Sequence, residues 1–421
     1  MSENKLHTPK FQIFVWSLFD FANTSFAIMI ITVGYSLYFR NVVVGEGGKG
    51  DFYWGLAISI SMLITAIVAP ILGAASDFSH RRKRFLFGFT IISVICTALL
   101  SQIDAGMILP GMILLIFANV GFEGGIVFYD SFLPLLANKS NYGRVSGYGF
   151  AMGYLGSIAM LLIAMPLYAN GFDQSNLPNV KLSFLIAAGM FLVFSIPLFV
   201  FLRDHRVHFN HKVSFLAAGF RRVKKTVSRI RDYRNVAIFL LAFFIYNDGI
   251  LTIIAFSSIF AQQSLGFQLN EIFILFALVQ ASAFIGSIGF GILTDKIGAK
   301  KTITITLLIW IFVVGCSYFV TTKMIYYSIS MIAGISLGSS QASSRSLMAR
   351  LTPKKHEAEF FGFYDGFCGK ASAVVGTFLF GLISYVMNDQ RLAVLSVGVF
   401  FVVGIIILQF VDDNHVVEEE D

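Results

Sequence analysis

Long apolar stretches follow one another along the chain, with short polar breaks between them. Twelve can be read, here spans 1 to 12: 11–39, 52–76, 84–103, 107–137, 144–169, 181–203, 236–261, 270–294, 301–321, 324–349, 358–387 and 391–411. Each reaches the roughly 20 residues that carry a helix across the hydrocarbon core of a bilayer. Several are rich in Gly and Ser, whose small side chains let neighbouring helices approach closely. The pattern predicts an all-α membrane protein. Composition agrees: 56% of the 421 residues are hydrophobic and only 13% charged, too few to cover a soluble domain of this size.

A short signature interrupts the pattern twice. Gly73-Ala-Ala-Ser-Asp77 runs into Arg81–Arg84, and Gly291-Ile-Leu-Thr-Asp295 runs into Lys296, Lys300 and Lys301, 218 positions later. Other matches recur at nearby offsets: Ser131 with Ser346 and Gly147 with Gly362 at 215, and Asn23 with Asn247 at 224. Two copies of a six-span module are implied, at 1–203 and 236–411, joined by a polar linker at 204–235 and followed by an acidic tail at 412–421. Parallel six-span repeats around a linker describe the major facilitator architecture, twelve transmembrane helices in two pseudo-twofold-related bundles.

The net charge of +7 is a matter of placement. With both ends cytoplasmic, 24 of the 31 Lys and Arg fall on the inner side and five on the outer, which sets the orientation by the positive-inside rule. The surplus is topological and gives no reason to expect a nucleic-acid partner. Within 204–235, apolar and basic residues alternate at helical spacing, which suits a helix among anionic lipid head groups. Cys96, Cys316 and Cys368 lie in predicted spans without metal-ligand spacing and read as reduced packing residues. The first apolar stretch is too long for a signal peptide and carries Asp20, so it is expected to be retained as span 1.

A charge at mid-bilayer costs about 2.5–3.5 kcal/mol and needs a partner or a wet cavity. Such residues sit only in predicted spans 1, 4, 7, 10 and 11: Asp20, Glu123 and Asp130, Asp248, Arg345, and Asp365 with Lys370. Spans 3, 6, 9 and 12 carry none away from their ends. In span 4, Asn119, Glu123 and Asp130 share a face. Asp20, Asn23 and Thr24 share one in span 1, and Tyr246, Asn247 and Asp248 stand opposite them in span 7, where Gly249 can loosen the helix. Gln341 and Arg345, one turn apart in span 10, suit a carboxylate. These residues are the expected solute contacts, with Glu123, Asp248 and Asp20 as candidates for proton coupling. Lys370 offers a second cation for such an anion, but it stands five residues from Asp365, and an ion pair between those two is the preferred expectation.

The repeat also swaps charges. Asp130 corresponds to Arg345 and Arg144 to Glu359 at the offset of 215. Around a pseudo-twofold axis, Asp130 can meet Arg345 and Arg144 can meet Glu359. With Asp77, Asp295, Asp365 and Lys370, they make a candidate cytoplasmic gate, with pairing inside each half as the alternative.

Phe19–Ala27 resembles the first-helix motif of the vacuole-effluxer-like branch of the major facilitator superfamily, which groups fungal autophagy-related amino-acid effluxers with bacterial proteins. Phe128–Pro134, Tyr246–Gly249, Gln341–Leu351 and Glu357–Gly362 are similar to its other landmarks, with the span 10 stretch the most specific. The resemblance runs from about Phe11 to Phe410 and implies a twelve-helix transporter, efflux of amino acids and, for a bacterial-type member, the inner membrane. The expectation is a monomeric secondary transporter working by alternating access, coupled to protons and without a cofactor, for a small polar or zwitterionic solute. A lipid-like or amphipathic solute is one alternative and a non-transporting sensor or scaffold another. No nucleotide-binding loop and no nucleophile–base or metal constellation is found, which argues against an enzyme.

Overall fold

The computed structural model describes residues 9–45, 49–79, 81–202, 215–229, 231–387 and 390–412. Among them twelve long helical segments follow the predicted spans: Pro9–Val44, Lys49–Ser79, Arg82–Gln102, Ile108–Leu136, Tyr142–Tyr168, Leu177–Phe201, Arg234–Leu265, Leu269–Ile297, Ala299–Phe319, Lys323–Leu351, 357–387 and Gln390–Gln409. Ten of them are long and apolar enough to cross a membrane by themselves; spans 10 and 11 are the two that are not. Span 10 carries eight serines from Ser328 to Ser346, and seven of these are buried against other helices. Span 11 widens into a π-helical turn over Gly362–Cys368 and is interrupted again at Ser372. Both are spans that only a surrounding bundle can hold, because lipid gives polar groups no partner.

Both described chain ends lie at one end of the bundle. Gln12 donates to the Phe201 carbonyl there, Lys300 to the carbonyls of Gln409 and Val411, and the Asp412 N–H to Asn235. At the opposite end each half carries an ion pair of its own, Lys181–Asp104 in the first and Lys323–Glu271 in the second. The halves meet along two symmetry-related seams, span 5 against span 8 and span 2 against span 11. On the first seam the backbones nearly touch. A methyl group on Gly147 would stand 2.4 Å from the Ser287 carbonyl oxygen, and one on Gly143 would stand 2.5 Å from that of Gly291.

Span 7 is helical throughout Arg234–Leu265, so Gly249 does not loosen it. The irregular turns fall in span 1, at Ala27–Val33 and Phe39–Val44, and in span 11. The linker forms a helix over Phe215–Ser228, and residues 204–214, like the acidic tail from 413, lie outside the described residues. This helix does more than lie on a membrane surface. Gly219 packs against the Ile71 backbone of span 2, while Arg222 donates to the Lys355 carbonyl (2.7 Å) and pairs with Glu359 (3.2 Å) at the start of span 11. It therefore straps one half to the other at the end that carries the termini.

The close seam gives a direct expectation. Gly147→Val places carbon where the Ser287 carbonyl already sits and forces spans 5 and 8 apart, at a cost of about 1–3 kcal/mol. A lower melting temperature in detergent, followed by size-exclusion fluorescence, should report it; an unchanged value would show that the seam opens freely.

Candidate functional site

Between the halves lies a cavity of about 430 Å³. Its walls come from spans 1, 4, 5, 7, 8, 10 and 11, and its polar lining includes Asp20, Asn23, Thr24, Glu123, Gln341 and Lys370. At the side nearer the termini it is floored by buried charge, with Asp130 and Arg345 almost fully covered. Toward the opposite end the lining passes to Ile28, Thr32 and Ile254, of which Thr32 and Ile254 are exposed. A smaller apolar recess of about 160 Å³ adjoins it there and shares Ile28, Thr32, Ile254, Gln280 and Leu337 with it.

Arg345 is the centre of the floor. Span 10 brings its guanidinium to the first half, where Nη1 donates to Asp130 (2.6 Å) and to Asp20 (3.5 Å), Nε to the Ser146 hydroxyl (2.9 Å) and Nη2 to the Ser146 carbonyl (2.7 Å). The group lies 3.9 Å from the Phe150 ring centroid and 5.0 Å from that of Trp16, inside cation–π range. Gly149 makes room: a methyl there would be 2.6 Å from Nη2. The acids are held in turn. Tyr129 donates to Asp20 (2.8 Å), Asn23 donates to Asp20 (3.3 Å), and Trp16 stacks on Tyr129 while donating to its carbonyl. Asp130 and Arg345 thus meet across the halves. Four of its five N–H donors go to protein oxygens, so most of its capacity is spent within the protein, although Arg345 lines the cavity as the solute contact assigned to it with Gln341 from spacing requires. Gln341 lines the cavity and accepts from the Tyr154 hydroxyl (2.5 Å).

Higher in the cavity, Lys370 of span 11 pairs with Glu123 of span 4. This corrects the expected Lys370–Asp365 pair. The two residues sit on either side of the span 11 irregularity, and Asp365 lies beside Asp130, its buried Oδ2 without a hydrogen-bond partner among the described residues. Three further assignments change. Asp248 does not line the cavity; both its oxygens accept the Gly376 N–H (2.9 and 2.8 Å), bracing span 11 where it is broken. Asn119 is fully buried and donates to Ser61 of span 2 (2.7 Å), on the packed side of span 4. Glu123 is not an isolated deep acid, since Lys370 neutralises it. Asn23, Thr24, Tyr246 and Asn247 do line the cavity, although Thr24 donates to the Gly153 carbonyl (2.7 Å), Tyr246 shares a hydrogen bond with Ser344 (2.7 Å) and Asn247 donates to Ser372 (2.8 Å).

Below the floor, the two signature aspartates do one job twice. Asp77 of span 2 accepts the Ala358 and Glu359 N–H groups (3.1 and 2.8 Å), at the start of span 11. Asp295 of span 8 accepts those of Gly143 and Arg144 (2.8 and 3.1 Å), at the start of span 5. Each carboxylate caps a helix of the other half, where free N–H groups and the helix dipole both favour a negative charge. Arg82 ties Asp77 (2.7 Å) to Glu357 (2.5 Å). Arg144 and Glu359 are not paired with each other. Arg144 lies 3.7 Å from Asp295, and the buried Glu359 is taken by Thr226 (2.5 Å), Arg222 and His356 (2.9 Å). The linker strap is what diverts Glu359 from the symmetric pairing.

Sequence reasoning missed Ser146, Tyr129, Trp16, Arg82 and Glu357. Ser146 and Glu357 stand within the stretches that repeat, and Arg82 was visible only as one of a basic cluster. Trp16, one turn before Asp20, gave no signal that separates it from packing aromatics.

Residues 53–421 match the family described as vacuole effluxer Atg22 like. The MFS-type transporter YxiO of Bacillus subtilis (strain 168) is 32% identical over 409 residues, covering 95% of this chain and 94% of its own. Autophagy-related protein 22 of Pichia angusta is 24% identical over 407 residues, covering 82% and 72%. Among solved structures, the major facilitator transporter FucP in an outward conformation superposes with a TM-score of 0.72 at 14% identity, over 94% of this chain and 97% of that one. With twelve helices, a cavity between two six-helix halves and a family match over most of its length, the chain belongs to the vacuole effluxer Atg22-like family of the major facilitator superfamily.

Proposed function

We propose that this transporter moves a small polar or zwitterionic solute such as an amino acid, by alternating access coupled to protons, with efflux as its direction. The observation that carries the reading is the charge balance of the cavity. Four carboxyls line it, Asp20, Glu123, Asp130 and Asp365, against two cations, Arg345 and Lys370. In a low-dielectric enclosure such an excess of acid calls for further positive charge. Protons and an ammonium group both supply it. The adjoining recess of about 160 Å³ gives an apolar arm of the solute a place, being comparable to a cavity that holds benzene.

The excess of cations supports a reading with the termini end in the bacterial cytoplasm. The cavity then faces outward, and the Asp77, Asp295 and Arg345 contacts form the closed inner gate. Alternating access requires these contacts to break together while the opposite end closes. The exposed Arg221, Lys224 and Lys225 of the strap lie where anionic head groups would bind.

Proton carriage falls on Asp365, which lines the cavity beside Asp130 with its buried Oδ2 unpartnered among the described residues, in place of Asp248, which faces away. In proteoliposomes with an imposed pH gradient, the protein should accumulate a radiolabelled amino acid, and Asp365→Asn should cut accumulation at least tenfold while sparing solute exchange at equal pH. Accumulation by the variant equal to that of the parent protein would remove the proton role. For the gate, Asp130→Arg and Arg345→Asp should each abolish most transport, since unpairing a buried ion costs about 3–5 kcal/mol. The double reversal should recover it in part. No recovery would count against direct pairing as the working contact.

A further inference from the structure

The Glu123–Lys370 pair differs from the other charged contacts that join the two halves among the described residues. Arg345, Asp20 and Asp130 form a closed network with at least four further polar or aromatic partners. Asp77 and Asp295 are held by backbone N–H groups. Glu123 and Lys370 are in direct contact only with each other, with Asp365 and Asp130 the further charges that act on Lys370. Among the described residues neither makes another hydrogen bond, and the Glu123 Oε2 facing Lys370 has none. Both side chains keep partial exposure, 9% for Glu123 and 17% for Lys370, and both line the cavity. Glu123 belongs to the first half and Lys370 to the second. The bridge therefore crosses the solute space itself.

We infer that Glu123 and Lys370 form the solute clamp: a zwitterion enters between them, its ammonium taking Glu123 and its carboxylate taking Lys370. This rests on the amino-acid reading above and says which residues select the charged groups. Opening the pair alone leaves two unpaired charges in a cavity of low dielectric, which is unfavourable. A zwitterion opens it without that cost, because one ion pair becomes two. A solute lacking either charge leaves one clamp residue unpaired, and the site discriminates against it for the same reason that any buried polar group resists losing its partner. The clamp also makes the solute a physical link between the halves, in the place that the direct pair holds when the site is empty. Lys370, and not Arg345, then receives the carboxylate.

The test uses the purified full-length protein in nanodiscs. Thermal shift first ranks the twenty standard amino acids, and the best binder is compared with its α-amide, which lacks the carboxylate, and its N-acetyl form, which lacks the ammonium. The parent protein should bind the zwitterion at least tenfold more tightly than either derivative. Glu123→Gln should bind the N-acetyl form at least as well as the amino acid, and Lys370→Gln should do the same for the amide. The double variant Glu123→Gln/Lys370→Gln, which leaves no unpaired charge, guards against a misfolded single variant and should lose the discrimination among all three. If the parent protein binds an amino acid but the variants weaken all three ligands alike, or change none, the clamp is overturned and the amino-acid reading stands. If the parent protein binds none of them, both fall.

Discussion

Burying one guanidinium is the constraint around which this bundle is arranged. Arg345 is 1% exposed inside a membrane protein, where an unpaired charge has no solvent to turn to. Its remedy lies wholly in the other half of the molecule: carboxylates from spans 1 and 4, a hydroxyl and a carbonyl from span 5, and aromatic faces on either side. The arrangement can exist only while spans 1, 4, 5 and 10 are together. The energetic need of one side chain thus becomes a statement about the relative position of two six-helix bodies.

The signature aspartates add a second tie of another kind. A carboxylate against free helix N–H groups is favourable yet local, falling off within the first turn of the helix. Asp77 and Asp295 hold the starts of spans 11 and 5 through two backbone hydrogen bonds each. The strap at Phe215–Ser228 breaks the symmetry of this pair, because it reaches Glu359 on only one seam. Glycines bring backbones into direct contact on both seams, Gly73 against Ala358 and Gly147 against Ser287, and one of the two is further reinforced by this side-chain cluster. Charge placement and close packing are two solutions to the same problem of closing a membrane protein at one end while keeping the closure reversible.

Much of the fold was legible because membrane solvation writes itself into sequence. Span positions, the internal repeat and the charge asymmetry all follow from costs each residue meets by itself in lipid, so a single chain displays them. The meeting of Asp130 with Arg345 was legible for a related reason, since pseudo-twofold symmetry converts equal offsets into spatial proximity. The same logic failed for Arg144 and Glu359, because the linker helix is outside the repeat and supplies Arg222 and Thr226 to Glu359. It failed for Asp248 and Asn119, where sharing a helix with cavity residues did not settle which neighbour the side chain faces.

Sequence alone determined that this chain spans the membrane twelve times in two related halves, and which charged residues had to find company inside it, because those facts depend on transfer out of water and on periodicity. Tertiary structure alone decided the pairings: Lys370 with Glu123 and not with Asp365, Arg345 with Asp130, Asp20 and Ser146 together, Asp77 on span 11 and Asp295 on span 5. A buried charge requires a partner but does not name one. The choice among partners many residues away is made by the distances that helix packing allows.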